Sequence, residues 1–232
     1  MIKSITDIIL AYKENTILEK RFTIPVINQN GDRIGLLVCL DRGLCDDLNL
    51  IASLTTWRQQ YMHFFLTQFN ATEVRTQSWL KNVVIPSTDR IFFVIYLLTG
   101  EPIGNFGVCN MTESSGELDN LIRGHEGGAK GLIYYCELAI LSWMFGKLGY
   151  NTANLHVFSN NLRTIKLHSS VGFSIINSTR LYKKMTPELT EYLMNPDGGD
   201  LVDFDYLEMQ IDKSFFLDKY PWIQNAHADH WQ

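Results

Sequence analysis

The chain has 232 residues, of which 46% are hydrophobic and 19% are charged, and its formal net charge is −5. This composition is typical of a globular protein that can bury a substantial core, and it excludes an intrinsically disordered chain. The acidic balance argues against whole-molecule attraction to nucleic acid or to an anionic membrane. No apolar run reaches the ~18 residues of a membrane span, and the start has no signal-peptide cleavage site.

Two residue types bear on compartment and metal content. Cys39, Cys45, Cys109 and Cys136 are scattered among apolar neighbours and form no CxxC pair. Buried thiols in a reducing compartment are therefore favoured over disulfides, which predicts a cytoplasmic protein. The histidines show neither HxxxH nor HExxH spacing, so no metal site is predicted.

The first half of the chain predicts a hairpin, two helices and three strands. Residues 22–40 hold two apolar stretches around Asn30-Gly31, a dipeptide typical of a two-residue hairpin turn. A mainly helical pattern covers 46–69, and a second helix is predicted over 73–83 with Thr72 as its N-cap. Three apolar strands follow, separated by turn residues, at 90–97, 102–109 and 117–124.

The second half alternates helices with strands. A long apolar helix follows residue 131 and ends near Gly146 and Gly149. The predicted elements beyond it are a strand at 153–158, a helix capped by Asn161, a strand at 173–183, a helix plus loop over 184–202 and a strand at 203–211. This order predicts one mixed α/β domain over 1–232 and not a doubly wound parallel sheet.

A Gly-rich turn, HEGGAKG at 125–131, leads from a strand into the long helix. Glycines let backbone amides point into one cavity, and the helix N-terminus adds the positive end of its dipole. The turn fits a pyrophosphate site, to which Lys130 adds a charge. Neither a Walker pattern nor a well-placed GxGxxG is present, so the turn alone is also compatible with a loop that binds nothing.

The segment 161–173, NLRTIKLHSSVGF, combines an Asn cap, an apolar pair and a terminal Gly-Phe. It resembles the closing motif of the Gcn5-related N-acetyltransferase (GNAT) superfamily, which reads Asn, two residues, Ala-Ile, one residue, Leu-Tyr and then Gly-Phe. The Gly-rich turn lies where that superfamily has its pyrophosphate loop. Two departures are His168 in the place of the usual Tyr, and GGAKG in place of Arg/Gln-x-x-Gly-x-Gly/Ala.

A third likeness lies in LTTWRQQ at 54–60, which is similar to the Trp-Arg-Asn element of many small-molecule members, and Trp79 resembles a further Trp of that group. The resemblance covers about 45–215 and leaves the hairpin at 22–40 outside the common core. It is nearest to the branch that acylates nucleotide-linked amino sugars. It implies a GNAT-like central mixed sheet flanked by helices, with parallel strands 117–124 and 153–158 splayed apart.

The resemblance also implies the cofactor and its contacts. Acetyl-CoA or another acyl-CoA would lie between the splayed strands, and an amine would attack the thioester directly, without a metal. The implied CoA-binding residues are Leu121, Ile122, Arg123, Gly127, Gly128, Ala129, Lys130, Gly131 and Asn161. For Asn161, helix capping alone is an equally open interpretation.

Three side chains are candidates for proton transfer. Glu117 and Asp119 share one face of a predicted strand, and either carboxylate can take the proton of the amine directly or through water. The alternatives are an ion pair between Asp119 and Arg123, and a solvated Glu117. His168 has the position of the superfamily's acid and can carry a proton near neutral pH, although it can also simply bond a neighbouring carbonyl.

The acceptor is expected to be a nucleotide-linked amino sugar. Candidates for its phosphates are Arg58, Arg75, Arg180 and Lys183, although a packed ion pair is the plainer interpretation of Arg58. Trp57 and Trp79 either frame the acceptor or belong to the core. Two other functions stay open: acetylation of a protein N-terminus or small amine, and acyl-CoA binding without turnover. No nucleic-acid or membrane partner is expected, and a homodimer is left open.

Overall fold

Ten strands form one sheet in the computed structural model, which describes residues 4–14 and 21–227. The strands are β1 Thr23–Ile27, β2 Arg33–Cys39, β3 Thr67–Gln68, β4 Ile91–Tyr96, β5 Pro102–Cys109, β6 Ser115–Arg123, β7 Thr152–Phe158, β8 Ser174–Met185, β9 Thr190–Leu193 and β10 Asp200–Asp212. Their order across the sheet is β1-β2-β4-β5-β6-β7-β10-β8-β9-β3. Among the described strands, β6 and β7 run parallel, and the other neighbouring pairs are antiparallel. The predicted mixed α/β class is confirmed.

Helices cover both faces of this sheet. They are α1 Ile5–Lys13, α2 Leu48–Gln60, α3 Glu73–Trp79, α4 Leu132–Ser142, α5 Leu162–Val171, α6 Lys213–Lys219 and α7 Pro221–His227. Successive side chains of β4 point to opposite faces of the sheet and therefore pack into two different hydrophobic cores. Ile91, Phe93 and Ile95 are buried with residues of α1 and α4, whereas Phe92 and Val94 are buried with α2 and α3.

The functional cleft begins where β6 and β7 separate. The two strands pair only from Ser115–Thr152 to Leu118–Leu155. Immediately beyond, the β5–β6 register shifts, and Asn120 adopts a positive φ of 52° that Asn tolerates better than most residues. The carbonyl of Asn120 accepts a hydrogen bond from the side chain of the buried Asn105. This bulge turns the end of β6 away from β7, as the expected splay requires.

Several predicted elements are correct. The hairpin at 22–40 is the β1–β2 pair, with Gly31 at φ 86° in its turn. Thr72 caps α3, and Asn161 caps α5 by accepting a hydrogen bond from the amide of Thr164 at 3.3 Å. The four cysteines are free and buried, as expected. No helix in 4–14 or 21–227 is long and apolar enough to cross a membrane.

Two predicted elements are wrong. The segment 184–202 is not a helix plus loop: it holds β9, which pairs with both β8 and β3. The helix predicted over 46–69 ends at Gln60, and Thr67–Gln68 form β3 against β9. In both cases a short segment becomes a strand because a distant strand edge pairs with it, which overrides local propensity. Helices α1, α6 and α7 were not predicted. Residues 1–3, 15–20 and 228–232 of the predicted domain lie outside the described residues.

Candidate active site

A cavity of about 990 Å³ opens between the separated ends of β6 and β7. It lies within the upper range of small-molecule sites. Of the predicted site residues, those that line it are Glu117, Asp119, Leu121, Ile122, Arg123, Gly131, Asn161 and His168. Gly127, Gly128, Ala129 and Lys130 lie on the exposed loop between its lining residues Glu126 and Gly131. One continuous space therefore connects the Gly-rich turn with the predicted proton-transfer groups.

The Gly-rich turn has the geometry of an anion site. Gly127, Gly128 and Gly131 have φ values of 137°, 75° and 80°, a region that favours glycine. In the described part of the chain, no amide from 126 to 131 donates to a backbone carbonyl. Helix α4 starts directly afterwards, with no acidic residue in its first turn. These exposed amides and the helix dipole together favour a bound anion.

Two residues hold this turn against the sheet. Trp57 is fully buried, and its indole lies so close to Gly124 that a Cβ there would approach ring atoms to about 2.1 Å. Arg123 donates to the carbonyls of His125 and Gly127 at 3.3 and 3.2 Å and pairs with Glu126 at 3.0 Å. Trp57 is thus a core residue that shapes the turn, and the side chain of Arg123 is engaged with the loop itself.

The two carboxylates of β6 have different surroundings. Asp119 accepts a hydrogen bond from Arg90 Nη1 at 3.0 Å, and from the backbone amide of Asn120 at 2.7 Å. The ion pair considered between Asp119 and Arg123 is not formed; Asp119 pairs with Arg90 instead, and Arg123 with Glu126. Both carboxylate oxygens of Asp119 therefore already accept hydrogen bonds.

Glu117 forms the centre of a hydrogen-bonded group. One carboxylate oxygen lies 2.7 Å from His156 Nδ1, and the other accepts from Asn110 Nδ2 at 2.8 Å. Burial by itself would raise the pKa of Glu117, but the hydrogen bonds from His156 and Asn110 outweigh it and hold this pKa below its ordinary value. The ring of Tyr206 stacks on the imidazole of His156 at 4.9 Å. Glu117 is therefore not a solvated side chain.

His168 belongs to a second, more deeply buried pair. Its Nδ1 lies 2.7 Å from Glu137 Oε1, and the side chains of His168 and Glu137 are 4% and 0% exposed. The imidazole also meets the ring of Phe173 edge-on at 5.8 Å. His168 lines the cavity from α5, and its ring partner is a carboxylate and not the neighbouring carbonyl considered for it.

Cationic and aromatic residues form the wall of the cavity on the α2–α3 side. The guanidinium of Arg58 lies 3.3 Å from the ring centroid of Phe65, and that of Arg75 lies 4.3 Å from Phe69. Neither arginine forms an ion pair with a carboxylate of the described chain. Trp79 also lines the cavity.

The four cations considered for the acceptor do not converge. Arg180 and Lys183 are absent from the described lining of the cavity, which includes Arg58 and Arg75. Arg180 lies on β8, 3.7 Å from Asp205. Of these four cations, Arg58 on α2 and Arg75 on α3 are therefore the two that can contact a ligand in the cavity.

Sequence reasoning missed three side chains of the site: Arg90, Glu137 and His156. His156 carries a signal that was available, because it is a polar residue between apolar neighbours on a predicted strand. Arg90 and Glu137 are identified as site residues only by their contacts with Asp119 and His168, which lie 29 and 31 residues away in the chain. Among the described residues, no group of three or more His, Cys, Asp or Glu side chains is placed to hold a metal ion.

The family model of the acetyltransferase (GNAT) domain matches residues 42–174, which is more than half of the chain. The chain belongs to the GNAT family. It is accordingly an N-acyltransferase, and the predicted membership is confirmed. The match ends at the Gly-Phe motif and begins just before α2, so it spans the Gly-rich turn and both histidine pairs of this GNAT site.

Solved GNAT structures share the fold. A spermidine N-acetyltransferase from Vibrio cholerae, solved with CoA and spermine, has a TM-score of 0.58 at 22% identity, over 78% of this chain and 96% of its own. FdhC, a nucleotide-linked sugar GNAT solved in its apo form, has a TM-score of 0.59 at 16% identity, over 83% and 93%. At such identities the likeness shows the fold alone. No curated protein matches the sequence.

Proposed function

We propose that this enzyme transfers an acyl group from acetyl-CoA or another acyl-CoA to the amine of a nucleotide-linked amino sugar. The cofactor part rests on the Gly-rich turn. Its glycines offer amides that bond no backbone carbonyl of the described chain, α4 begins directly after them, and Lys130 is exposed on the same turn. The pantetheine arm would follow the backbone of Leu121, Ile122 and Arg123 into the cleft, with Asn161 at its far side.

The main support for a nucleotide-linked acceptor is the positive charge of the cavity wall. Arg58 and Arg75 lie against aromatic rings and have no carboxylate partner among the described residues. Guanidinium groups bind phosphates through paired hydrogen bonds, and aromatic rings stack on nucleobases. This combination suits a nucleoside diphosphate that carries the amine on its sugar.

A polyamine acceptor, as in the complex with spermine, fits this wall less well. A polycation requires unpaired carboxylates. The acidic residues that line the cavity are Glu117, Asp119 and Glu126, and each already has a basic partner, His156, Arg90 and Arg123 respectively. Adding a polycation beside unpaired arginines would place like charges together in a partly desolvated site. An anionic acceptor meets no such repulsion.

Two steps of the chemistry fall to residues of the cavity. Backbone amides near Leu121 would donate to the oxyanion that forms when the amine attacks the thioester carbonyl. His168, held by Glu137, would give a proton to the departing thiolate. Of the two β6 carboxylates, Glu117 is the one that bonds a proton-transfer group, His156, whereas Asp119 is paired with Arg90. We place the reaction in the cytoplasm, in keeping with four free, buried thiols.

Acceptor profiling with acetyl-CoA tests this function. We expect kcat/KM to be highest for a nucleoside-diphosphate-linked amino sugar, compared with the same free amino sugar, spermine and a peptide N-terminus. Loss of contacts remote from the reacting amine should lower rate as well as affinity. Arg75→Ala should raise the KM for the nucleotide-linked acceptor by about tenfold or more, the value of one charge-assisted hydrogen bond.

Arg180→Ala is the matched control, because Arg180 lies outside the cavity lining, and it should leave this KM unchanged. The free amino sugar provides a second control, since it lacks the phosphates that Arg75 would bind. A preference for spermine or for the peptide would contradict the sugar acceptor while leaving the N-acyltransferase activity in place.

A further inference from the structure

His156 stands at the point where the cleft opens. It directly follows Leu155, the last residue of β7 that pairs with β6. Leu155 and Val157 are buried in the core beneath α4, so alternation directs His156 to the opposite face of the sheet. There the imidazole lines the cavity with a quarter of its side chain exposed. A ligand amine in the cavity can therefore reach this ring.

Two side chains hold the imidazole of His156, Glu117 at its edge and Tyr206 on its face. Because an ionised carboxylate has only acceptors, the 2.7 Å contact with Glu117 makes Nδ1 the donor. Asn110 fixes Glu117 in turn, and Tyr206 stacks on the ring with an interplanar angle of 17°. With Nδ1 engaged, the neutral ring carries its lone pair on Nε2. In hydrolase triads, too, a carboxylate orients an imidazole whose other nitrogen accepts the reacting proton.

We propose that His156, oriented by Glu117, is the base that removes the proton from the attacking amine. The inference rests on the proposed acyl transfer but not on the identity of the acceptor. In the step, the neutral amine nitrogen bonds to the thioester carbon and the carbon–sulfur bond breaks. One amine proton passes to His156 Nε2, and the thiolate takes one proton from His168. The products are the N-acyl amine and the free thiol of CoA.

An imidazole is better matched to this step than either carboxylate. Glu117 has both oxygens occupied and a pKa below its ordinary value, so it has little tendency to accept a proton itself. The hydrogen bond to Glu117 raises the pKa of His156, against the opposing effect of burial. The raised pKa of His156 and the lowered pKa of Glu117 make the imidazole the better proton acceptor of the two.

The charged and titratable groups around His156 come from three strands or their ends. Glu117 on β6 bonds the ring, Tyr206 and Glu208 face it from β10, and Arg90 at the start of β4 acts on Glu117. Burial raises the pKa of Tyr206 far above neutral, so Tyr206 stays uncharged in the range where His156 titrates. The rise of the rate with pH should therefore follow the imidazole of His156.

The test compares His156→Gln and Glu117→Gln with wild type in single-turnover experiments from about pH 5 to 9. The wild-type rate should rise with pH as His156 loses its proton. His156→Gln should lower the rate by about a hundredfold or more and remove this rise, with unchanged acetyl-CoA affinity. Glu117→Gln should keep the rise but move it to lower pH, because the charge that stabilises the imidazolium is gone.

His63→Gln is the control, since His63 is exposed and is absent from the described lining of the cavity. It should behave as wild type. If Glu117→Gln abolished the pH-dependent rise while His156→Gln kept it and the wild-type rate, Glu117 itself would be the base and the proposal would be wrong. If both variants kept the wild-type dependence of the rate on pH, neither His156 nor Glu117 would take part in removing the proton.

The experiment uses whichever acceptor is turned over fastest in the acceptor comparison. A peptide or spermine as best acceptor would overturn the sugar proposal and still allow the base to be tested. Failure of the proposed acceptor can therefore be distinguished from failure of the proposed base.

Discussion

Two histidine–glutamate pairs reach the cavity through His156, Glu117 and His168, and the two pairs differ in burial. The His156–Glu117 pair is a quarter to a fifth exposed, whereas the His168–Glu137 pair is almost fully enclosed. Among the described residues, one carboxylate oxygen of Glu137 has no hydrogen-bond partner, and the other is bonded by His168. A buried carboxylate with a single basic partner is energetically sensitive to loss of that partner.

We predict two separable effects for His168→Ala. The maximal rate should fall tenfold or more with little change in acyl-CoA affinity, because a proton donor to the thiolate acts in the transition state. The free energy of unfolding should also fall by about 3–5 kcal/mol, since Glu137 is left buried and unpaired. Single-turnover kinetics and denaturant unfolding measure the two effects.

A second variant separates the two effects. Adding Glu137→Leu to His168→Ala removes the uncompensated charge, so it should recover part of the stability and none of the rate. If His168→Ala turned over at the wild-type rate under conditions where chemistry limits, His168 would have a structural role only.

At the level of elements, the Gly-rich turn and α4 act as one unit. Gly128 is unsuitable for testing it, because its φ is positive and a Cβ would lie 2.6 Å from the side chain of Leu132. Any substitution there would distort the turn as well as the binding site. Ala129 is exposed, already carries a Cβ and is not among the positive-φ residues. It therefore allows a change of charge without a change of backbone.

We predict that Ala129→Glu weakens CoA binding at least tenfold, because it places a negative charge beside the pyrophosphate at a helix N-terminus. Ala129→Gln has nearly the same size without the charge and should change affinity much less. Calorimetry with CoA gives both values. Equal affinities for the two variants would mean that the pyrophosphate lies elsewhere.

At the scale of the whole molecule, the far edge of the sheet supports the acceptor wall. Strand β9 pairs with β3, and the amide of Tyr192 donates to the carbonyl of Leu66 at 2.8 Å. Residues 64–69 of the wall are thereby tied to an element more than a hundred positions away in the chain. The wall thus depends on closure of the sheet as well as on α2.

We predict that Tyr192→Pro raises the KM for the acceptor several-fold, because proline removes the amide that holds Leu66. The affinity for acyl-CoA should stay unchanged, since the Gly-rich turn lies across the sheet. Tyr192→Ala is the control: it loses the same ring contacts with Phe158 and Phe204 but keeps the amide. An equal KM in the two variants would show that the β3–β9 bond does not position the wall.

Local signals in the sequence were sufficient for most of the fold. Elements that depend on residues a few positions apart can be predicted without the rest of the chain. They include the Asn30-Gly31 turn, the apolar strands, the long α4 and the Asn161 cap. The same holds for the Gly-rich turn and for the Gly-Phe motif that indicated the GNAT family, which the family match confirms.

Tertiary structure alone decided how the side chains of the site meet. His156 and Glu117 are 39 residues apart, and their contact depends on where β6 and β7 stop pairing. The partner of Asp119 and the pairing of β9 likewise depend on the register of distant strands, whereas the partner of His168 depends on how α5 packs against α4. Register is set by the combined packing of the whole sheet, and a shift of one residue would turn Glu117, Asp119 and His156 to the other face. No local pattern carries that information.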